Sequence, residues 1–130
     1  MGRGLILIVE DDPDVSEAVE TVLTDEGYST RTAKNGEEAL AILRGGFIPG
    51  LILLDVMMPV MDAFGFRAEQ LKDPTLAAIP TVIMSAAHKL GDMARELGVR
   101  AYLAKPVALE ALLDVVDRVL KQPASSPTPT

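Results

Sequence analysis

Acidic, hydroxyl and ammonium side chains stand at the ends of the short apolar runs of this chain. Leu5 to Val9 runs into Glu10-Asp11-Asp12, Leu51 to Leu54 into Asp55, Thr81 to Met84 into Ser85, and Ala101 to Leu103 leads to Lys105-Pro106. If those ends meet, the carboxylates of Glu10, Asp11 and Asp55 share a small space. At about 4 Å and an effective dielectric near 20, each like-charged pair costs roughly 4 kcal/mol. Such a cluster has to take up protons or recruit a cation. Lys105 alone cannot neutralise three acids, and a divalent ion would complete the balance. Hard oxygen ligands without histidine or cysteine favour Mg2+, with Mn2+ as the alternative, over zinc. A carboxylate beside such an ion, with a lysine and a hydroxyl across from it, is equipped for in-line attack on a phosphoryl group, becoming an acyl phosphate. Asp55 is the expected nucleophile: it follows the most apolar run, where a carboxylate is costly to bury without a purpose.

Bringing these ends together requires a particular kind of scaffold. The apolar runs Leu5 to Val9, Tyr28 to Ala33, Leu51 to Leu54, Thr81 to Met84 and Ala101 to Leu103 alternate with amphipathic stretches, which predicts an α/β fold with a parallel sheet and helices on both faces. The first predicted helix carries Val15, Ala18, Val19, Val22 and Leu23 on one face, with Asp12 as cap, Pro13 as opening residue and Gly27 as stop. The second runs from Gly36 to Arg44 and ends at Gly45-Gly46; the third spans Phe64 to Lys72 and stops before Pro74. The fourth carries Leu90, Met93, Ala94 and Leu97, and the fifth Leu109, Leu112, Leu113, Val116 and Leu120. In a doubly wound sheet of this kind, ligands gather beyond the carboxyl ends of the strands, where the reactive groups stand.

Composition narrows the function further. The 130 residues include 12 basic and 19 acidic side chains, a net charge of −7 that argues against direct nucleic-acid binding by this domain. A hydrophobic content of 48% suffices for one core. With no cysteine, disulfide frameworks and thiolate chemistry are excluded, which fits a reducing compartment. Five apolar residues before Glu10 are too few for a signal peptide or a membrane span, so the expectation is a cytoplasmic protein without a membrane partner. Residues 1–121 are expected to form one domain. Residues 122–130, rich in proline, serine and threonine, read as a disordered tail or linker.

Four segments carry a resemblance. Leu5-Ile-Leu-Ile-Val-Glu-Asp-Asp12, Leu53-Leu-Asp-Val-Met-Met-Pro-Val-Met-Asp62, Ser85-Ala86 and Tyr102-Leu-Ala-Lys-Pro106 resemble, in order and spacing, the receiver domains of two-component response regulators over about residues 4 to 121. The resemblance implies a flavodoxin-like three-layer sandwich with strand order 2-1-3-4-5. It implies a phosphoprotein of a phosphorelay, a regulatory domain rather than an enzyme, limited to Mg-dependent autophosphorylation and self-dephosphorylation. Asp55 would accept phosphate from a sensor histidine kinase or histidine phosphotransfer protein. Glu10 and Asp11 match the acid pair that holds magnesium together with Asp55, and the Met57 backbone carbonyl is a further ligand. Ser85 matches the switch hydroxyl, Lys105 the phosphoryl contact and Tyr102 the aromatic switch, and the Lys105-Pro106 bond would be cis. The first helix is the expected kinase-docking element. The fourth helix, fifth strand and fifth helix, near Lys89, Asp92, Arg95, Arg100 and Tyr102, would meet a downstream target or a second copy.

Two departures from the family pattern stand out. Val60 and Ala63 replace glycines, so residues that resist positive φ occupy the loop after Asp55, whose shape is expected to differ. By the resemblance, Met57 and Ala87 occupy the two positions whose side chains border the path of an attacking water; neither can orient it by hydrogen bonding, which predicts slow self-dephosphorylation. His88 reads as an exposed helix residue, and Met57, Met58, Met61, Met84 and Met93 as packing. Three rival functions compete for the same residues. A haloacid dehalogenase-type phosphatase needs an aspartate two residues after its nucleophile, where Met57 stands. A flavodoxin-like carrier needs a first loop that welcomes phosphate, and Glu10-Asp11-Asp12 would repel it. A receiver-like scaffold that never accepts phosphate is kept open by the altered loop.

Overall fold

A computed structural model of the chain describes residues 4–58, 60–86 and 89–121. Five strands, β1 (Leu5–Val9), β2 (Ser29–Ala33), β3 (Leu51–Asp55), β4 (Thr81–Ser85) and β5 (Ala101–Ala104), form one sheet in the order β2-β1-β3-β4-β5. All four pairings are parallel, as the strand–helix alternation predicts. The helices are α1 (Pro13–Asp25), α2 (Gly36–Arg44), α3 (Ala63–Leu71), α4 (Pro74–Ala77), α5 (Leu90–Leu97) and α6 (Leu109–Lys121).

The central strands are apolar on both faces because each face meets a helical layer. Side chains alternate accordingly. Leu7, Val9, Ile52, Leu54 and Ile83 pack with Leu40 and Leu43 of α2, Phe66 of α3 and Leu90 and Leu97 of α5. Ile6, Ile8, Leu51, Leu53, Val82 and Met84 pack with Val19 and Leu23 of α1 and Leu112, Val116 and Val119 of α6. The result is the three-layer flavodoxin-like sandwich.

Helix starts follow local chemistry. Asp12 caps α1 by accepting from the amides of Asp14 (2.9 Å) and Val15 (3.4 Å), and Asn35 caps α2 by accepting from the Glu38 amide at 2.8 Å. The sequence reading of five helices is corrected by α4. Pro74, expected to lie just past the end of the third helix, occupies the first turn of a one-turn helix whose cap Asp73 accepts from the Thr75 amide at 2.9 Å. Proline is tolerated at that position because the missing N–H would have had no partner within the helix. The predicted fourth and fifth helices are therefore α5 and α6. β2 starts at Ser29 rather than Tyr28, while β3, β4 and β5 each continue one residue beyond the predicted run. The proposed tail, 122–130, lies outside the described residues.

Candidate functional site

Register and pleat bring three distant residues to one side of one rim. Val9 pairs with Leu54, so Glu10 lies level with Asp55; Asp55 pairs with Met84, and Met84 with Leu103. Val9 and Leu54 face the α2–α5 layer, so the residue that follows each, Glu10 just past β1 and Asp55 at the end of β3, turns to the opposite face. Leu103 faces the α1–α6 layer, and Lys105, two residues on, shares its side.

The contacts agree with that geometry. Lys105 Nζ donates to Glu10 Oε1 at 2.6 Å and lies 3.2 Å from Asp55 Oδ1. Carboxylate oxygens of Glu10, Asp11 and Asp55 lie within 4.8 Å of one another. Glu10 and Asp55 are buried, Asp11 is exposed, and the Lys105 side chain retains 21% of its surface. The Asp12 amide donates to Glu10 Oε2 at 3.2 Å. Around these groups lies an open cleft of about 530 Å³, to which Asp12, Met57, Ser85 and Ala86 also contribute.

Electrostatics follow from two buried carboxylates and one ammonium. Burial raises the Glu10 carboxyl above its ordinary value, and the Asp55 charge adds to this; Lys105 and the Asp12 amide oppose it without prevailing. Burial likewise raises Asp55, with Asp11 adding and Lys105 opposing. For Lys105, burial acts to lower the ammonium, but the bonds to Glu10 and Asp55 outweigh it and the net direction is upward. Three carboxylates beside one ammonium leave two formal negative charges, which a divalent cation would balance. An all-oxygen donor set of this kind suits a hard ion of the magnesium class. The residues present therefore fit such an ion.

Ser85 ends β4, is buried and lines the cleft. The Lys105 amide donates to the Ser85 carbonyl at 2.9 Å, tying the two strand ends. The Lys105-Pro106 peptide is cis. Tyr102 stands apart from the cleft. It is 50% exposed, and its hydroxyl lies 3.4 Å from where a Cβ on Gly91 of α5 would sit. On the same face, Arg95 and Asp92 of α5 are ion-paired. Ala87 and His88 lie outside the described residues.

Two expectations are corrected. Met57 is not packing: it is 70% exposed at the cleft rim, whereas Met58 and Met84 are buried and Met61 and Met93 lie against the core. Of the two glycine replacements, Val60 takes a positive φ of 70° despite its branched side chain, while Ala63 simply opens α3.

The sequence reading missed a neighbouring feature. Val15, Ala18 and Val19 of α1 and Pro106 and Val107 line a groove of about 500 Å³ that shares Ala86 and Lys105 with the cleft. An apolar Val107 directly after Lys-Pro, outside any strand, was the available signal. No helix among the described residues is long and apolar enough to cross a membrane.

Comparison with known proteins converges on one family. The family model described as "Response regulator receiver domain" matches residues 6–117. Over 119 residues the chain is 36% identical to "Probable transcriptional regulator ycf27" of Porphyra purpurea, covering 90% of this chain and 47% of that protein. The chain thus spans about half the length of such curated relatives. Over 117 residues it is 32% identical to Protein PilH of Pseudomonas aeruginosa, covering 88% of this chain and 96% of PilH. Among solved structures, the signal receiver domain of a signal transduction histidine kinase from Syntrophus aciditrophicus matches with a TM-score of 0.84 and 32% identity, covering 98% of this chain and 97% of that one.

Proposed function

Because the chain belongs to the response regulator receiver domain family, we propose that it is a phosphorylation-dependent switch in which Asp55 accepts the phosphoryl group and residues 1–121 form the receiver. The observation that carries this is the convergence of Glu10, Asp11 and Asp55 within 4.8 Å, with Lys105 bridging Glu10 and Asp55. An Asp55 carboxylate oxygen attacks the phosphorus of a partner's phosphohistidine. The O–P bond forms as the P–N bond breaks, and the departing imidazole takes up a proton. Glu10, Asp11, Asp55 and the Met57 carbonyl would hold a magnesium ion, which supplies charge stabilisation for the equatorial oxygens when bound. Lys105 stabilises the same oxygens as a point charge.

Once Asp55 carries the phosphoryl group, Lys105 and the Ser85 hydroxyl engage it. Tyr102 follows through its contact with Gly91. An acyl phosphate that favours one arrangement by a few kcal/mol is enough to shift a pre-existing equilibrium. The α1–Val107 groove, continuous with the cleft through Ala86 and Lys105, suits the apolar helical flank of a histidine-bearing kinase or phosphotransfer protein. The face of α5, β5 and α6 would serve the downstream target or a second copy. Met57 at the rim offers no hydrogen bond to an attacking water, so the acyl phosphate hydrolyses slowly.

Acetyl phosphate with Mg2+ tests the reading. Intact mass should rise by about 80 Da, one phosphoryl group, in the wild type and not in Asp55→Asn, and should persist for minutes or longer after donor removal. Equal labelling of both proteins removes Asp55 as acceptor.

A further inference from the structure

Between Asp55 and α3 the chain makes a tight loop that carries Met57 to the cleft. Its two ends are tied by the Ala63 amide, which donates to the Val56 carbonyl at 3.3 Å. Asp62 accepts from the Gly65 amide at 2.9 Å and caps α3. Within the loop Met58 is buried, and Val60 sits at φ 70° with 74% of its surface exposed. A branched residue persists in that conformation only where its surroundings hold it there, since strain of this kind costs of order 1–3 kcal/mol. Val60 is itself largely exposed, so the hold has to come from its neighbours.

Met61 supplies the hold. A Cβ on Gly36, the first residue of α2, would stand 3.0 Å from Met61 Cγ, 3.0 Å from the Met61 carbonyl oxygen and 3.1 Å from Sδ. A Cβ on Gly65, inside α3, would stand 3.1 Å from the same Cγ. The thioether therefore fills space that two β-carbons would otherwise claim. Neither glycine has a positive φ, so conformational freedom does not explain them. At Gly65, inside α3, alanine would be the better helix former by about 1 kcal/mol. Room for Met61 is the reason that remains.

We infer that Met61 is a positioning residue: seated between Gly36 and Gly65, it fixes the loop from Val56 to Asp62 against α2 and so sets where the Met57 backbone stands over the acid cleft. The inference rests on the receiver reading for the use of that backbone in holding magnesium. Its local content, that the socket places Met57, can be read without metal. Magnesium demands near-ideal ligand geometry, so a shift of a few tenths of an ångström in one ligand weakens it.

The test uses Gly36→Ala, Gly65→Ala, Met61→Ala and Met61→Leu in the full chain. Calorimetric titration with MgCl2 should show Gly36→Ala binding about tenfold more weakly, the range typical when support around a ligand is disturbed. Gly65→Ala should lose less, because the atom it would strike belongs to a side chain that can move rather than to backbone. Met61→Leu, close in volume, should stay near wild type, and Met61→Ala should bind weakly. In metal-free protein the Met57 amide resonance should move in Gly36→Ala. Should Gly36→Ala not fold, Met61→Ala carries the test, since it opens space instead of filling it. A folded Gly36→Ala or Met61→Ala with wild-type Mg2+ affinity and an unmoved Met57 amide overturns the inference. Variants that show these effects, alongside a wild type that gains no phosphoryl group from acetyl phosphate, overturn the switch reading and leave the socket standing.

Discussion

Replacing Asp55 by asparagine should stabilise the protein when no divalent ion is present. Asp55 meets two carboxylates within 4.8 Å, and at an effective dielectric near 20 each repulsion is about 3.5 kcal/mol. Lys105 at 3.2 Å returns about 5 kcal/mol of attraction on the same scale. About 2 kcal/mol of net repulsion remains, and burying the charge adds to it. Asparagine keeps the shape, accepts from Lys105 through its carbonyl and donates to Glu10 through its amide. Urea unfolding of both proteins in EDTA at neutral pH should therefore place the variant about 1–3 kcal/mol above the wild type, several degrees in Tm for a domain of this size. Saturating Mg2+ should narrow or reverse the gap, because an ion at one hundred times its Kd stabilises the wild type by about 2.7 kcal/mol and the variant by less. An asparagine variant that is no more stable than the wild type in EDTA would refute the electrostatic account, for it would mean Lys105 already balances the cluster.

Two further outcomes follow from the same structure. Glu10 and Asp55 are held above their ordinary values of 4.5 and 3.8, so in metal-free protein the native state keeps protons that the unfolded chain has lost. Their stabilising contribution is full below those values and falls as pH rises through the native ones. Urea unfolding in EDTA from about pH 4.5 upward should show the wild type losing stability relative to Asp55→Asn; a difference that stays constant or shrinks with rising pH contradicts this. Val60→Gly should stabilise by about 0.5–1 kcal/mol, because relieving a branched residue at φ 70° outweighs the extra freedom of glycine in the unfolded chain and little buried surface is lost. A loss above about 0.5 kcal/mol in urea unfolding would show that Val60 is not strained.

Local information made much of the fold legible. Gly45 after Arg44 marks the end of α2 and Asp12-Pro13 the start of α1, because capping involves only neighbours in sequence. The apolar runs of β1, β3 and β4 could be read as strands because a strand buried on both faces needs no alternation. Pro74 misled because proline both ends one helix and opens another, and the choice depends on Asp73 and on burial of Leu76 against the core. Met57 misled because composition cannot say which methionine of a loop points outward.

The residue types able to hold a cation and accept a phosphoryl group, and their places at strand ends, are properties of the sequence itself. Which of them meet is a property of the sheet. A shift of one residue in register would turn Glu10 or Asp55 to the other face, and only pairing of β1, β3 and β5 through the core sets that register. The socket around Met61 belongs to the same class of facts: a glycine near residue 36, another near 65 and a methionine between them have no visible relation until α2 and α3 pack side by side, because exclusion of volume acts through space and leaves no period in the chain.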